Sequence, residues 1–219
     1  YVPAFDHELI MAGQGTVGLE IMADLADADT LVVPIGGGGL IAGVATAARG
    51  IRPDIRIVGV EAASAPAALL SRQAGAITTL AAARSLADGI ALKQVGTLTF
   101  PVIEALVDEI VTVEEEEIAH AIVGLMEKSK LVVEGAGAVG LAALLYGKPG
   151  VASGKTVVIL SGGNIDVQTI SRVVERGMLA EGRFLMIRIE LDDSPGALAR
   201  LAALVTELGA NIFHVSHDR

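Results

Sequence analysis

The run Val32-Val33-Pro34-Ile35-Gly36-Gly37-Gly38-Gly39-Leu40-Ile41-Ala42-Gly43 constrains the fold more than any other feature of the chain. An apolar, β-branched segment reads as a strand buried on both faces; four glycines follow, and an apolar helix opens at once. Strand–turn–helix of this kind is the unit of a parallel sheet covered by helices. Glycines leave backbone amides unobstructed by Cβ atoms at a helix N-terminus, which is the geometry of a phosphate cradle. A tight strand–helix turn alone rarely needs four of them. No Lys-Ser/Thr follows, so the Walker loop is excluded. Gly37, Gly39 and Ala42 also fit G-x-G-x-x-A, and Glu61 ends the next strand 24 residues after Gly37. The loop by itself therefore leaves a dinucleotide and a smaller phosphorylated cofactor both open.

The same alternation runs on along the chain. Strands are expected at residues 30–35, 55–60, 109–113 and 156–160, and helices at 17–25, 40–49, 66–73, 99–107, 114–130, 139–146 and 165–176. The composition agrees: of 219 residues, 52% are hydrophobic and 19% charged, which excludes disorder and suits a buried α/β core. A net charge of −10 argues against nucleic acid or an anionic membrane as partner, and 3% aromatics leave no stacking platform for single strands. Without cysteine there is neither a disulfide framework nor a thiolate metal site. No apolar run reaches the ~18 residues of a membrane span. The start Tyr1-Val2-Pro3-Ala4 carries no initiator Met and no basic leader, so a cytoplasmic protein is expected and the chain reads as a piece of a longer one.

Two further glycine segments and some charged groups need weighing. Gly135-Ala136-Gly137-Ala138-Val139-Gly140 matches G-x-G-x-x-G literally, but no acid follows at the next strand end, so close helix packing is the expected role. Ser161-Gly162-Gly163-Asn164 ends a strand before a helix, and two glycine turns at strand carboxyl ends face one crevice. A hydroxyl there can bond a ring nitrogen, which favours a phosphorylated heteroaromatic cofactor. The acids Glu114, Glu115, Glu116 and Glu117 read as a solvated helix start favoured by the macrodipole. His214 and His217 alternate across an expected strand, so they do not read as metal ligands.

Near residues 179–183 the pattern changes. A strand at 184–191, the turn Asp192-Asp193-Ser194-Pro195-Gly196, a helix at 197–208 and a strand at 211–215 form an expected βαβ unit. Leu198, Leu201, Leu204, Val205 and Leu208 share one helical face.

Ala12-Gly13-Gln14-Gly15-Thr16, the four-glycine loop, Ala87-Asp88-Gly89-Ile90-Ala91, Lys130-Leu131-Val132-Val133-Glu134 and Ser161-Gly162-Gly163-Asn164 together resemble the threonine dehydratase/serine racemase group of pyridoxal-phosphate enzymes. The resemblance covers about residues 1–180. It implies part of a tryptophan-synthase-β-like, three-layer α/β domain with a parallel sheet. Gly36, Gly37, Gly38, Gly39 and Leu40 would hold the pyridoxal 5'-phosphate, with Gly89 and Gly162 beside it and Ser161 facing the pyridine nitrogen. A Ser hydroxyl cannot protonate the ring as a carboxylate would, which favours β-elimination over transamination. The implied substrate is a small amino acid, L-threonine or L-serine, released as a 2-oxo acid and ammonia; racemisation of serine is the alternative on the same site.

The resemblance also marks departures. Lys93, Lys128, Lys130, Lys148 and Lys155 all lack the family's Ser-Phe-Lys context, so the Schiff-base lysine is expected upstream of Tyr1 and this chain alone is expected to be inactive. Glu61 and Ala65 match two ligands of the family's cation site, divalent or monovalent, but position 67 is Ala where a second acid is usual. Gly135 stands where the family often has Pro. Residues 181–219, with Asp193-Ser194-Pro195-Gly196 and Gly209-Ala210-Asn211-Ile212, resemble the first half of an ACT domain. That implies a homo-oligomer and an amino-acid effector such as isoleucine, valine or serine, or else a fragment that only senses amino acids.

Overall fold

The computed structural model describes residues 2–151 and 154–216. Two compact units divide the chain, Tyr1–Phe184 and Leu185–Arg219. The first is built on a four-stranded parallel sheet in the order β3-β2-β1-β4, with β1 at Thr30–Pro34, β2 at Arg56–Ala62, β3 at Glu109–Val113 and β4 at Thr156–Val158. Every residue of β1 is buried, as a central strand covered on both faces requires. Along β1 and β2, Leu31, Val33, Ile35 and Ile57 enter one core cluster while Val32, Val58 and Val60 enter the other, so two layers of side chains sandwich the sheet. β2 runs to Ala62 and carries Glu61 inside the strand, two residues beyond the expected end. β4 stops at Val158, although the Ile159 N–H still donates to the Val32 carbonyl at 3.0 Å.

Helices α1 (Glu8–Asp24) and α2 (Gly39–Ile51) pack together more closely than side chains normally allow. A Cβ on Gly43 would stand 2.6 Å from the Gly15 nitrogen, and one on Gly18 would stand 2.8 Å from the Val44 carbonyl oxygen. These glycines lower helix propensity, so the sequence pattern showed only the last part of α1; contact with α2 overrides that preference. Its start is capped by His7, whose Nδ1 accepts from the Leu9 N–H at 3.1 Å. Then follow α3 (Ala67–Ala74), α4 (Thr99–Leu106) and α5 (Glu115–Gly124). A π turn at Leu125–Ser129 continues α5 and ends at Lys130, which takes φ 59°. α6 (Gly135–Leu145) begins four residues before its expected start, and α7 spans Val167–Ala180. No helix among the described residues is long and apolar enough to cross a membrane.

In the second unit α8 (Ala197–Glu207) forms behind Gly196, which takes φ 85° as the residue before its first turn. The expected strands at 184–191 and 211–215 do not form among the described residues. Their alternating pattern is present, but a two-stranded parallel pair has little independent stability. His217 lies outside the described residues, and no group of three or more His, Asp or Glu converges among those described.

Candidate functional site

The four-glycine loop sits at the carboxyl end of β1 and opens α2, with Gly37, Gly38 and Gly39 buried and Gly36 and Leu40 half-buried. Gly38 takes φ 96°, a left-handed conformation natural only to glycine. The Gly37 carbonyl is held from behind: it accepts from the Thr99 hydroxyl at 2.6 Å and from the Gly96 N–H at 3.0 Å. Because a trans peptide points its C=O and N–H oppositely, fixing that carbonyl turns the Gly38 N–H to the other side. Ala42 is the first residue of α2 to bond back, to the Gly38 carbonyl at 2.9 Å. The amides of Gly39, Leu40 and Ile41 precede it and have no intrahelical acceptor. An anion is the natural partner of such a cluster.

Packing, and not empty space, is what demands these glycines. A Cβ on Gly38 would approach Thr99 Oγ1 to 2.7 Å and Ile103 Cδ1 to 2.8 Å, and one on Gly37 would fall on the Phe5 ring. Phe5 is placed by its neighbour Asp6, whose carboxylate accepts from the N–H groups of Thr97 (2.9 Å), Leu98 (2.8 Å) and Thr99 (3.3 Å) and so caps α4. Burial acts to raise the Asp6 carboxyl, but these backbone bonds and the Thr97 hydroxyl hold it below the ordinary carboxylate range. No local sequence pattern marks Phe5, Asp6, Gly96 or Thr99 as site residues. Only the Gly96-Thr97-Leu98-Thr99 cluster hinted at a cap.

Three glycine turns meet here. A Cβ on Gly36 would lie 2.9 Å from the Ile90 Cα, one on Gly89 would lie 3.2 Å from the Ala136 Cβ, and one on Gly137 would lie 2.8 Å from the Gly162 carbonyl oxygen. Thus the short 3-10 turn Asp88–Ile90 bridges the phosphate-type loop to the start of α6, and α6 backs the Ser161–Gly162 turn at the end of β4. Gly135 and Gly140 likewise pack, against the Leu86 carbonyl and the Val158 side chain, so the literal G-x-G-x-x-G opens α6 and its glycines allow close approach. Ser161 and Gly89 are exposed and Gly162 is half-buried, leaving the Ser161 hydroxyl open to a ligand.

Two acids near these turns or strand ends are perturbed, and of the two only Glu134 touches the Ser161–Gly162 turn. The Glu134 N–H donates to the Gly162 carbonyl at 3.1 Å, and burial first, then the negative charge of Asp88, raises its carboxyl above the ordinary range. Glu61 caps a helix, a part the sequence does not show. It is 1% exposed, and its two oxygens accept from the Ala68 and Leu69 N–H groups at 2.8 and 2.9 Å, capping α3. Burial pushes it up to about 7 despite those bonds. The Ala65 carbonyl accepts from the Ala67 N–H at 3.0 Å. Glu61 and Ala65 thus both serve the start of α3, each carboxylate oxygen and the carbonyl accepting one backbone N–H.

A parallel α/β sheet that presents a buried glycine loop and a serine turn at neighbouring strand ends defines an enzyme fold for a phosphorylated cofactor. The chain belongs to the pyridoxal-phosphate dependent enzyme family, which it matches over residues 1–162. It is 60% identical over all its 219 residues to an L-threonine ammonia-lyase of Geobacter sulfurreducens, and 46% identical over the same length to one of Thermotoga maritima. It spans 54% of each of those proteins, about half their length. Maize serine racemase has a similar structure, with a TM-score of 0.74 and 37% identity, covering 83% of this chain and 56% of that one.

Proposed function

We propose that this chain supplies the phosphate loop and ring-nitrogen contact of an L-threonine/L-serine ammonia-lyase whose imine-forming lysine lies outside these 219 residues. The observation that carries the reading is the Gly37 carbonyl locked from behind by Thr99 and Gly96, which aims the Gly38 N–H and the α2 amides together. The amides of Gly38, Gly39 and Leu40 bind the phosphate, Gly36 and Gly89 let the Asp88–Ile90 turn pack between the loop and α6, and Ser161 with Gly162 meets the pyridine ring. Bound pyridoxal phosphate supplies the electron sink for the substrate's Cα. Facing the ring with a neutral hydroxyl, Ser161 leaves that sink moderate, which suits loss of a β-hydroxyl.

Full-length protein is expected to release 2-oxobutanoate from L-threonine and to show a visible absorbance that borohydride quenches. D-serine formed from L-serine, without oxo acid, would assign it instead to the racemase chemistry that the similarity to maize serine racemase suggests. In the second unit, a shallow cleft of about 350 Å³ is lined by Glu190, Asp192, Arg200 and Leu204 among others. Arg200 suits a carboxylate and the acids an ammonium, so we place an amino-acid effector there. Calorimetry with isoleucine, valine and serine should show a second binding event in full-length protein, which Arg200→Ala removes; heat from the catalytic site alone refutes the effector reading.

A further inference from the structure

Glu115 stands in the first turn of α5, among acids whose position suggests only solvation. Its carboxylate is fully engaged instead. One oxygen accepts from the hydroxyls of Ser64 at 2.9 Å and Ser85 at 2.7 Å, and the other from the Leu86 N–H at 2.7 Å. The Ser85 hydroxyl in turn accepts from the Ala87 N–H at 3.0 Å. Four consecutive steps of chain then lead from this anchor to the crevice. Ala87 is fully buried against the start of α6, where a Cβ on Gly135 would stand 2.8 Å from the Ala87 Cα. Asp88 faces Glu134, Gly89 approaches Ala136, and Ile90 closes on Gly36 of the phosphate-type loop.

From this arrangement we propose that Glu115 is a positioning residue for the cofactor site: it bolts residues 85–87 to α5 and so fixes the Asp88–Ile90 turn that walls the glycine loop. The inference rests on the phosphate reading of that loop. The residues after Ser85 have little regular structure of their own before the 3-10 turn, so side-chain bonds must define their path. A charged acceptor shared by three donors does this with more strength than neutral pairs would. A Gln in its place keeps one acceptor for Leu86, and its NH₂ can donate to the two serine hydroxyls, whose oxygens can accept as well as donate. An Ala keeps nothing.

The test uses full-length protein, stripped of cofactor and titrated with pyridoxal phosphate by fluorescence, alongside melting of the apoprotein. Glu115→Ala is expected to weaken cofactor binding about tenfold or more, the loss of one to two charged hydrogen bonds' worth of organisation. Glu115→Gln should recover most of that loss, and Ser85→Ala should weaken binding by a factor of about three. The KM for threonine should change less than kcat, because the turn borders the cofactor. An effect on apoprotein melting alone, with cofactor affinity unchanged in all three variants while wild type binds normally, overturns the positioning role. Failure of wild-type protein to bind pyridoxal phosphate overturns the phosphate reading itself. Should Glu115→Ala not fold, Glu115→Gln and Ser85→Ala carry the comparison.

Discussion

Gly38→Val is expected to abolish cofactor binding in the full-length protein, lowering affinity by a factor of at least ~100, the value of about two charge-assisted hydrogen bonds. Two effects add. Gly38 sits at φ 96°, where a residue with a Cβ pays roughly 1–2 kcal/mol and a β-branched one more. A Cβ there also meets Thr99 Oγ1 at 2.7 Å, the atom that holds the Gly37 carbonyl. Displacing it frees that peptide to rotate, and the Gly38 N–H then loses its aim. Gly38→Ala should show the same defect in smaller measure. Gly50, in the same helix but with open space around its Cα, is the control. Gly50→Ala should raise stability by about 0.5–1 kcal/mol and leave affinity alone. Equal cofactor affinity in Gly38→Val and wild type would remove the loop from the binding site altogether.

What the sequence made legible follows a physical line. β1, the glycine loop and the start of α2 are contiguous, and their signals are local: an apolar β-branched run, residues with no Cβ, then a helix. The same holds for the Ser161 turn. Other parts depend on partners far along the chain. Asp6 caps α4 through residues 91 to 93 positions away, and Glu115 reaches Ser64, 51 positions back, so neither role is visible in any window of sequence. The acids at the start of α5 were expected in solvent for the same reason, yet Glu117 also pairs with Lys148 at 2.9 Å while its other role completes the helix cap. Only the end of α1 shows in the sequence, because Gly13, Gly15 and Gly18 argue against a helix that packing on α2 then requires. In the second unit a local signal outruns the structure. Alternation at 184–191 is a sound strand signal, but strands need neighbours, and this segment forms no strand.

Glu61 provides the clearest pH signature. Its folded-state value of about 7 lies above the 4.5 of an ordinary glutamate, so the folded protein holds this proton more tightly than the unfolded chain does. The stability contributed by that proton is fully present below about 4.5 and is lost as pH rises through about 7. The shift corresponds to about 3 kcal/mol between the two plateaus. Glu61→Gln cannot ionise, and its amide leaves one of the Ala68 and Leu69 N–H groups facing another donor, a cost of about 1–3 kcal/mol. Near pH 4.5 the variant should therefore be less stable than wild type. Above pH 7 the wild type carries a buried charge that Gln lacks, and the gap should close or change sign. Urea unfolding of both full-length proteins from pH 4.5 to 8 measures the difference, and comparing the two cancels the titration of every other group. Parallel stability profiles across that range would mean that Glu61 is ionised throughout, held by the α3 amides alone.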